Sequence, residues 1–224
     1  MEKLNILYED KHLIAVVKPY GVLSQGNENT KSLCTDISSY LKEKGESGEV
    51  YVIHRLDKTT GGVMFFAKTK AMASKMSALI QNGDFHKVYY AVISGKLEHN
   101  TGALADLLYH DKTKNKTYVV KKERKGVKIA KLCYVSHGNA QFEDNDVTKV
   151  EVLLLTGRTH QIRVQFASRK HPLVGDRKYG SEIAYKNIAL WSREINFKHP
   201  FTGEHIKVTA DPESDIFNLD FRLF

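Results

Sequence analysis

The chain has 224 residues, 42% of them hydrophobic and 27% charged, and its 34 Lys and Arg against 26 Asp and Glu give a formal net charge of +8. That is ample for one packed domain, and no stretch approaches the length of a membrane span. Met1 to Asn5 hold no apolar signal-peptide core, which predicts a cytoplasmic protein. A pI near 9.3 points to a polyanionic partner, with a merely basic soluble protein as the alternative. Cys34 and Cys133 lie far apart without metal-ligand spacing and read as free core thiols.

In chain order, Asn5 to Glu9 and His12 to Lys18 read as strands joined at Glu9-Asp10-Lys11, and Lys18-Pro19-Tyr20-Gly21 as a turn. Ser32 to Lys44 is predicted helical, with Leu33, Ile37, Tyr40 and Leu41 on one face and Gly45 as its stop. A second helix is predicted from Thr69 to Asn82, capped by Thr69 and ended by Gly83. Its Met72, Met76, Leu79 and Ile80 share a face and are expected to pack as core. Phe85 to Ser94 is a strand candidate with Lys87, Tyr89, Ala91 and Ile93 on one side.

Lys112 to Lys131 is dense in positive charge and contains Lys121-Lys122-Glu123-Arg124-Lys125. It reads as a solvated hairpin edge, as a phosphate-contacting surface, or as both. Lys131 to Ser136 and Val147 to Leu155 are predicted strands around a polar loop, Gly138 to Asp146. Thr159 is the expected cap of a short helix burying Ile162, Phe166 and Ala167, with Arg163 at the core margin. A cation held there needs an anionic partner. Strands follow near Ile188 to Phe197 and Ile206 to Ala210, and Asp211-Pro212-Glu213-Ser214 has the form of a capped helix start. Many strands with few helices predict an α+β fold on a largely antiparallel mixed sheet, as one domain over residues 1–224.

The stretch that organises the chain is Val52-Ile53-His54-Arg55-Leu56-Asp57-Lys58-Thr59-Thr60-Gly61-Gly62-Val63, read as strand, turn, strand. Gly61 and Gly62 supply the freedom that a reversal or a close approach requires. Alone, Asp57 is an ordinary turn acid and Arg55 a surface cation. No phosphate loop, dinucleotide fingerprint, H-E-x-x-H or paired-Cys motif occurs. Any chemistry therefore falls to Asp, Arg, Tyr, Lys and His without a cofactor.

His54-Arg55-Leu56-Asp57, with a Thr-x-Gly pattern after it, resembles the catalytic motif of the RluA-type family of pseudouridine synthases. Lys18-Pro19-Tyr20-Gly21 resembles that family's first motif, and Lys87-Val88-Tyr89 its K-x-Y strand. Gly157-Arg158-Thr159-His160-Gln161-Ile162-Arg163-Val164 resembles its third. His171-Pro172-Leu173, Gly175-Asp176, Tyr179-Gly180, Phe197 and His199-Pro200 continue the match in order. Gly61, Gln165 and Trp191 depart from the family pattern without removing a catalytic group.

The resemblance implies the pseudouridine synthase fold with a central basic cleft, and isomerisation of uridine in ribosomal or transfer RNA. The N1–C1′ bond breaks, the uracil turns, and C5 bonds to C1′, with no metal or redox cofactor. By match, Asp57 is the catalytic carboxylate, Arg163 its guanidinium partner, and Tyr89 the ring that stacks on the base and stands near its proton transfer. Ile162 or Leu190 would close the pocket. Arg55, Lys18, Arg158, His160, Lys121, Lys122, Arg124 and Lys125 are the expected RNA contacts, with Arg158 and His160 alternatively supporting the site residues from behind, and His54 is expected to bond the turn. The first motif lies almost at the start of the chain, so no S4 domain is expected, and the expected state is a monomer. Two other readings are a catalytically inactive RNA-binding protein of the same fold and a hydrolase using Asp57 covalently. The hydrolase is disfavoured because glycosidases typically use two carboxylates.

Overall fold

A computed structural model of the chain describes residues 4–26 and 30–223. Its elements are β1 (Ile6–Glu9), β2 (Leu13–Lys18), α1 (Leu33–Glu43), β3 (Tyr51–Val52), β4 (Gly61–Ala67), α2 (Lys70–Asn82) and β5 (His86–Ser94). Then come β6 (Thr101–Asp111), β7 (Lys116–Val120), β8 (Val127–Phe142), β9 (Asn145–Leu154), α3 (Gln161–Ala167), β10 (Leu190–Lys198) and β11 (His205–Thr209). The sequence predicts one domain; the chain gathers into two compact units, Met1–Lys87 with Ser192–Asp211, and Val88–Trp191 with Pro212–Phe224.

In the first unit the strands run β1-β2-β4-β10, with β3 on β4 and β11 on β10. β2 and β4 pair antiparallel from Leu13 opposite Ala67 to Lys18 opposite Gly62. Both are near-continuous apolar runs, the pattern of strands covered on both faces, and β4 is buried along its whole length. One face carries Leu13, Ala15, Val63, Phe65 and Ala67 against Met72 and Met76 of α2, with Phe85, Ile195 and Phe197. The methionines are core, as their spacing predicts. α1 starts at a Ser32 capping box and α2 at the Thr69 side chain, and Gly83 ends α2 in the left-handed region.

In the second unit the order is β5-β9-β8-β6-β7, with β6–β7, β6–β8 and β8–β9 antiparallel. The polar loop predicted over Gly138 to Asp146 is instead mostly strand. Phe142 pairs with Asn145, and Glu143 and Asp144 make a two-residue turn at φ 46° and 61°. Both angles are positive, as a type I′ hairpin requires. β6 has no counterpart in the sequence reading. Only Leu104 and Leu108 are buried along it, and Asp106 stands between them on the same face, so the apolar spacing of four fits a helix as well as a strand. Asp211 to Ser214 starts no α-helix; a short 3-10 turn, Asp215–Phe217, follows instead. Ser214 bonds no turn amide with its side chain, so the cap that the Pro-containing pattern suggests is not made.

Two residues of the central stretch prove to be structural. Gly62 has φ +114°, and a Cβ there would meet the Ser192 carbonyl oxygen at 2.2 Å and its nitrogen at 2.6 Å. The glycine serves close strand approach rather than a reversal. His54 accepts a hydrogen bond at Nε2 from the Phe65 amide at 3.1 Å, and its ring packs 5.3 Å from Phe85. It is structural, as expected, but it bonds β4 and not the turn. Its Nδ1 is buried without a hydrogen-bond partner. Burial, aided by the Lys87 charge, depresses the imidazole pKa to about 3.

Gly62→Ala should lower the free energy of unfolding by at least about 2 kcal/mol, since overpacking and a positive φ combine; a urea midpoint matching wild type would show that β4 and β10 can separate. His54 gives a pH signature. The unfolded chain holds it near 6.5 and takes up the proton first as pH falls. The stability that neutral His54 contributes is therefore complete above about pH 6.5 and is lost below it, at up to about 1.4 kcal/mol per pH unit. Between pH 6.5 and 5, His54→Gln should flatten the decline seen in urea titrations. Parallel curves for the two proteins would contradict a neutral, buried ring.

Candidate active site

Asp57 stands in the loop between β3 and β4, half-buried, with Arg55 exposed two residues before it. The expected strand–turn–strand is present, although the entering strand is only Tyr51–Val52. The loop is tied down by backbone chemistry. The Ser24 hydroxyl donates to the Leu56 carbonyl at 2.9 Å and accepts from the Leu56 amide at 3.1 Å. The Gly21 amide donates to the Lys58 carbonyl at 2.8 Å, and the Thr60 amide to the Asp57 carbonyl at 3.0 Å. Leu56 is buried, so the loop is anchored by an apolar side chain as well.

Lys18 is not the surface RNA contact that the sequence suggests. It is 0% exposed, and Nζ donates to the carbonyls of Pro19 at 2.9 Å, Val22 at 2.7 Å and Lys58 at 3.4 Å. Its apolar surroundings remove water, so the ammonium must take carbonyl acceptors. Burial lowers its pKa to about 8, while the Asp57 charge acts in the opposite direction. The same cation thus joins the Pro19–Val22 turn to the Asp57 loop.

In the second unit, Tyr89 is buried on β5, and Arg163 is buried on α3. The helix is not capped by Thr159. His160 occupies the N-cap at φ 54° and makes no side-chain cap bond. Gln161 organises this end instead, accepting from Thr156 Oγ1 at 2.7 Å and the Arg158 amide at 3.0 Å and donating to the Lys131 carbonyl at 3.0 Å. Ile162 and Phe166 are buried as expected, but Ala167 is only half-buried. Gln165, a departure from the family pattern, is fully buried and donates to Asp106 at 2.7 Å.

Sequence reasoning offers Arg163 Asp57 as its partner; within its own unit the structure pairs it with Asp176. Arg163 Nε donates to Asp176 Oδ2 at 2.6 Å and Nη2 to Oδ1 at 2.9 Å, with both side chains buried. The Tyr179 ring lies under the guanidinium at 5.1 Å. Tyr179 Oη accepts from the Thr117 amide at 2.8 Å and meets His160 Nδ1 at 2.9 Å. His160 is therefore packed inward, 8% exposed, in the supporting position and not the RNA-facing one. Asp176 and Tyr179 lie in family-like segments to which the sequence assigns no role; their three-residue spacing after a glycine is the one signal that points to them. Ser24 leaves no such signal.

Lys121, Lys122, Arg124 and Lys125 are exposed in the connection between β7 and β8, and Arg124 stacks 4.6 Å over the Tyr109 ring. Arg158 is exposed, its Nε donating to the Ile129 carbonyl at 3.0 Å. Cys34 and Cys133 are free thiols and half-buried rather than core. Among the described residues, no helix is long and apolar enough to cross a membrane.

The model of the RNA pseudouridylate synthase family matches residues 12–168. An uncharacterised RNA pseudouridine synthase of Bacillus subtilis, YhcT, is 32% identical over 97% of this chain and 71% of its own length. The dual-specificity RNA pseudouridine synthase RluA of Vibrio parahaemolyticus is 33% identical over 88% of this chain and 78% of its own. The ribosomal large subunit pseudouridine synthase D of Xanthomonas campestris is 32% identical over 96% and 68%. In fold, the chain is similar to human RNA pseudouridylate synthase domain containing 1, at a TM-score of 0.77 and 22% identity over 94% of this chain and 84% of that one. The α+β fold is thus the pseudouridine synthase fold, and the chain belongs to the RNA pseudouridylate synthase family, whose members isomerise uridine in RNA.

Proposed function

We propose that the protein isomerises a loop uridine of ribosomal or transfer RNA, acting as a cytoplasmic monomer with Asp57 as its catalytic carboxylate. The observation that carries the assignment is the motif acid itself, held half-buried on a loop clamped through Leu56, Asp57, Lys58 and Thr60. Such a rigid base suits a group that needs positioning. The RNA class rests on relatives whose names specify the ribosomal large subunit and dual specificity. Loops are also where unstacked bases are available to a protein.

In this mechanism the target base leaves its stack, at a cost of a few kcal/mol, and stacks on Tyr89. Asp57 acts on the sugar carbon as N1–C1′ breaks, and Arg163 holds the carboxylate in place. The retained uracil turns, C5 bonds to C1′, the C5 proton departs with Tyr89 nearby, and the freed N1 takes up a proton. The product has the mass of the substrate, and the chemistry calls for no metal or redox cofactor. Arg55, Arg158, Lys121, Lys122, Arg124 and Lys125 are the proposed phosphate contacts, all exposed cations.

Asp57→Asn should abolish pseudouridine formation in RNA from cells lacking the protein, with binding within about threefold of wild type, since only a charge is removed. Site-resolved pseudouridine mapping reads the outcome, and turnover above trace would remove Asp57 from the reaction. Release of free uracil would indicate hydrolysis, and RNA binding by the wild type with neither outcome would indicate an inactive binder. Replacing Lys121, Lys122, Arg124 and Lys125 together with Gln should weaken binding and lower the log–log salt slope by roughly 0.7 to 0.9 for each phosphate that is no longer neutralised. An unchanged slope in filter-binding titrations would leave that tract as a solvated edge.

A further inference from the structure

Arg163 is a buried cation with a carboxylate of its own. Asp176 opens the short 3-10 turn Arg177–Tyr179, and Gly180 closes it at φ +92°. Asp176 caps the turn and Tyr179 ends it, and both side chains reach the Arg163 guanidinium. Asp176 takes two of the three guanidinium nitrogens, and the guanidinium carbon lies over the Tyr179 ring at 5.1 Å. Tyr179 is itself fixed by the Thr117 amide and by His160. Thr117 Oγ1 donates to the Thr159 carbonyl at 2.8 Å, which closes the frame onto the N-terminal end of α3.

An Arg that needed only to be neutralised would be served by one contact at a partly wet margin. Here the bidentate contact sets the direction of the fork, and the ring contact restricts its tilt. The Asp176 side chain is 0% exposed and that of Arg163 5%, so neither can reorient into solvent. Arg cannot be replaced by Lys in such a frame without losing the bidentate geometry.

We propose that Asp176 is a positioning residue for catalysis: together with Tyr179 it fixes the direction of the Arg163 guanidinium, and it acts on the reaction only through Arg163. The inference rests on the reading of Arg163 as part of the catalytic machinery. It assigns a task to the Gly175-Asp176-x-x-Tyr179-Gly180 segment that neither RNA contact nor core packing supplies.

The test is a double-mutant cycle in the full-length protein, read by single-turnover rate at saturating RNA, RNA dissociation constant and melting temperature. Asp176→Asn should lower the rate on the order of 100-fold, as a misplacement of about 1 Å can do, and leave the dissociation constant within about threefold. In an Arg163→Met background the same substitution should produce no further loss, because a residue that acts through another has nothing left to act on. Losses that multiply would overturn the proposal, as would an Asp176→Asn protein that turns over at the wild-type rate. Because Asp176→Asn strands a buried cation, Asp176→Glu is the companion variant. It keeps the charge and shifts the fork by about one methylene. It should melt near wild type, bind RNA normally and lose rate at least about tenfold; a folded Asp176→Glu enzyme with wild-type rate would also overturn the proposal. Wild-type turnover by Arg163→Met would sink the reading of Arg163 and the proposal with it. A normal wild-type protein with a slow Arg163→Met variant and a fast Asp176→Glu variant would sink the proposal alone.

Discussion

A buried ammonium group holds the candidate carboxylate loop in place. Lys18 ends β2 in register with Gly62, at the point where β4 leaves the Asp57 loop. Buried from solvent, its charge is met by the carbonyls of Pro19, Val22 and Lys58 and by the negative charge of Asp57. A cation confined in this way is stable only while those carbonyls stay where they are. The constraint therefore runs in both directions: the loops solvate the lysine, and the lysine fixes the loops. The Ser24 hydroxyl adds a second tie by using both its donor and its acceptor capacity on Leu56.

The two buried cations named here, Lys18 and Arg163, show why residue type matters. Lys18 presents a compact ammonium with donors free to rotate towards three carbonyls in different directions. Arg163 presents a rigid planar fork and receives a planar carboxylate and a planar ring. The first geometry suits the tying of loops. The second suits the aiming of a functional group. A buried ion pair is weak evidence for stability in itself, since replacing both partners by apolar groups is often neutral. Retaining one at this cost is easier to understand when the orientation of the cation matters.

The sequence made α1 and α2 legible because their caps and stops are local. Ser32, Thr69 and Gly83 stand where side-chain and backbone chemistry dictates a boundary, and the structure uses each of them. The ordered motifs made the family and the central loop legible. What escaped was set by distant partners. Lys18 reads as a surface cation until β4 and the Pro19–Val22 turn close around it. Gly62 reads as a turn glycine until the backbone of Ser192 is found against it. The β8–β9 hairpin carries Gly138, Asn139, Asp144 and Asn145, turn residues by composition, yet only Glu143 and Asp144 make the turn. β6 hides its strand period because its outer positions are left partly open.

The same reasoning explains why motif recognition identified Arg163 without identifying its frame. A motif preserves residue types along the chain, whereas the orientation of a planar group is set by what meets it in space. Asp176 follows Arg163 by thirteen positions, and only the 3-10 turn brings its carboxylate and the Tyr179 ring to the same guanidinium. Thr117 reaches that ring from β7, on the far side of β8 and β9 in sequence. No local rule links these four residues. They become a unit only when α3 lies against β7, so the direction of the guanidinium is a property of the fold that composition, periodicity and motif spacing do not encode.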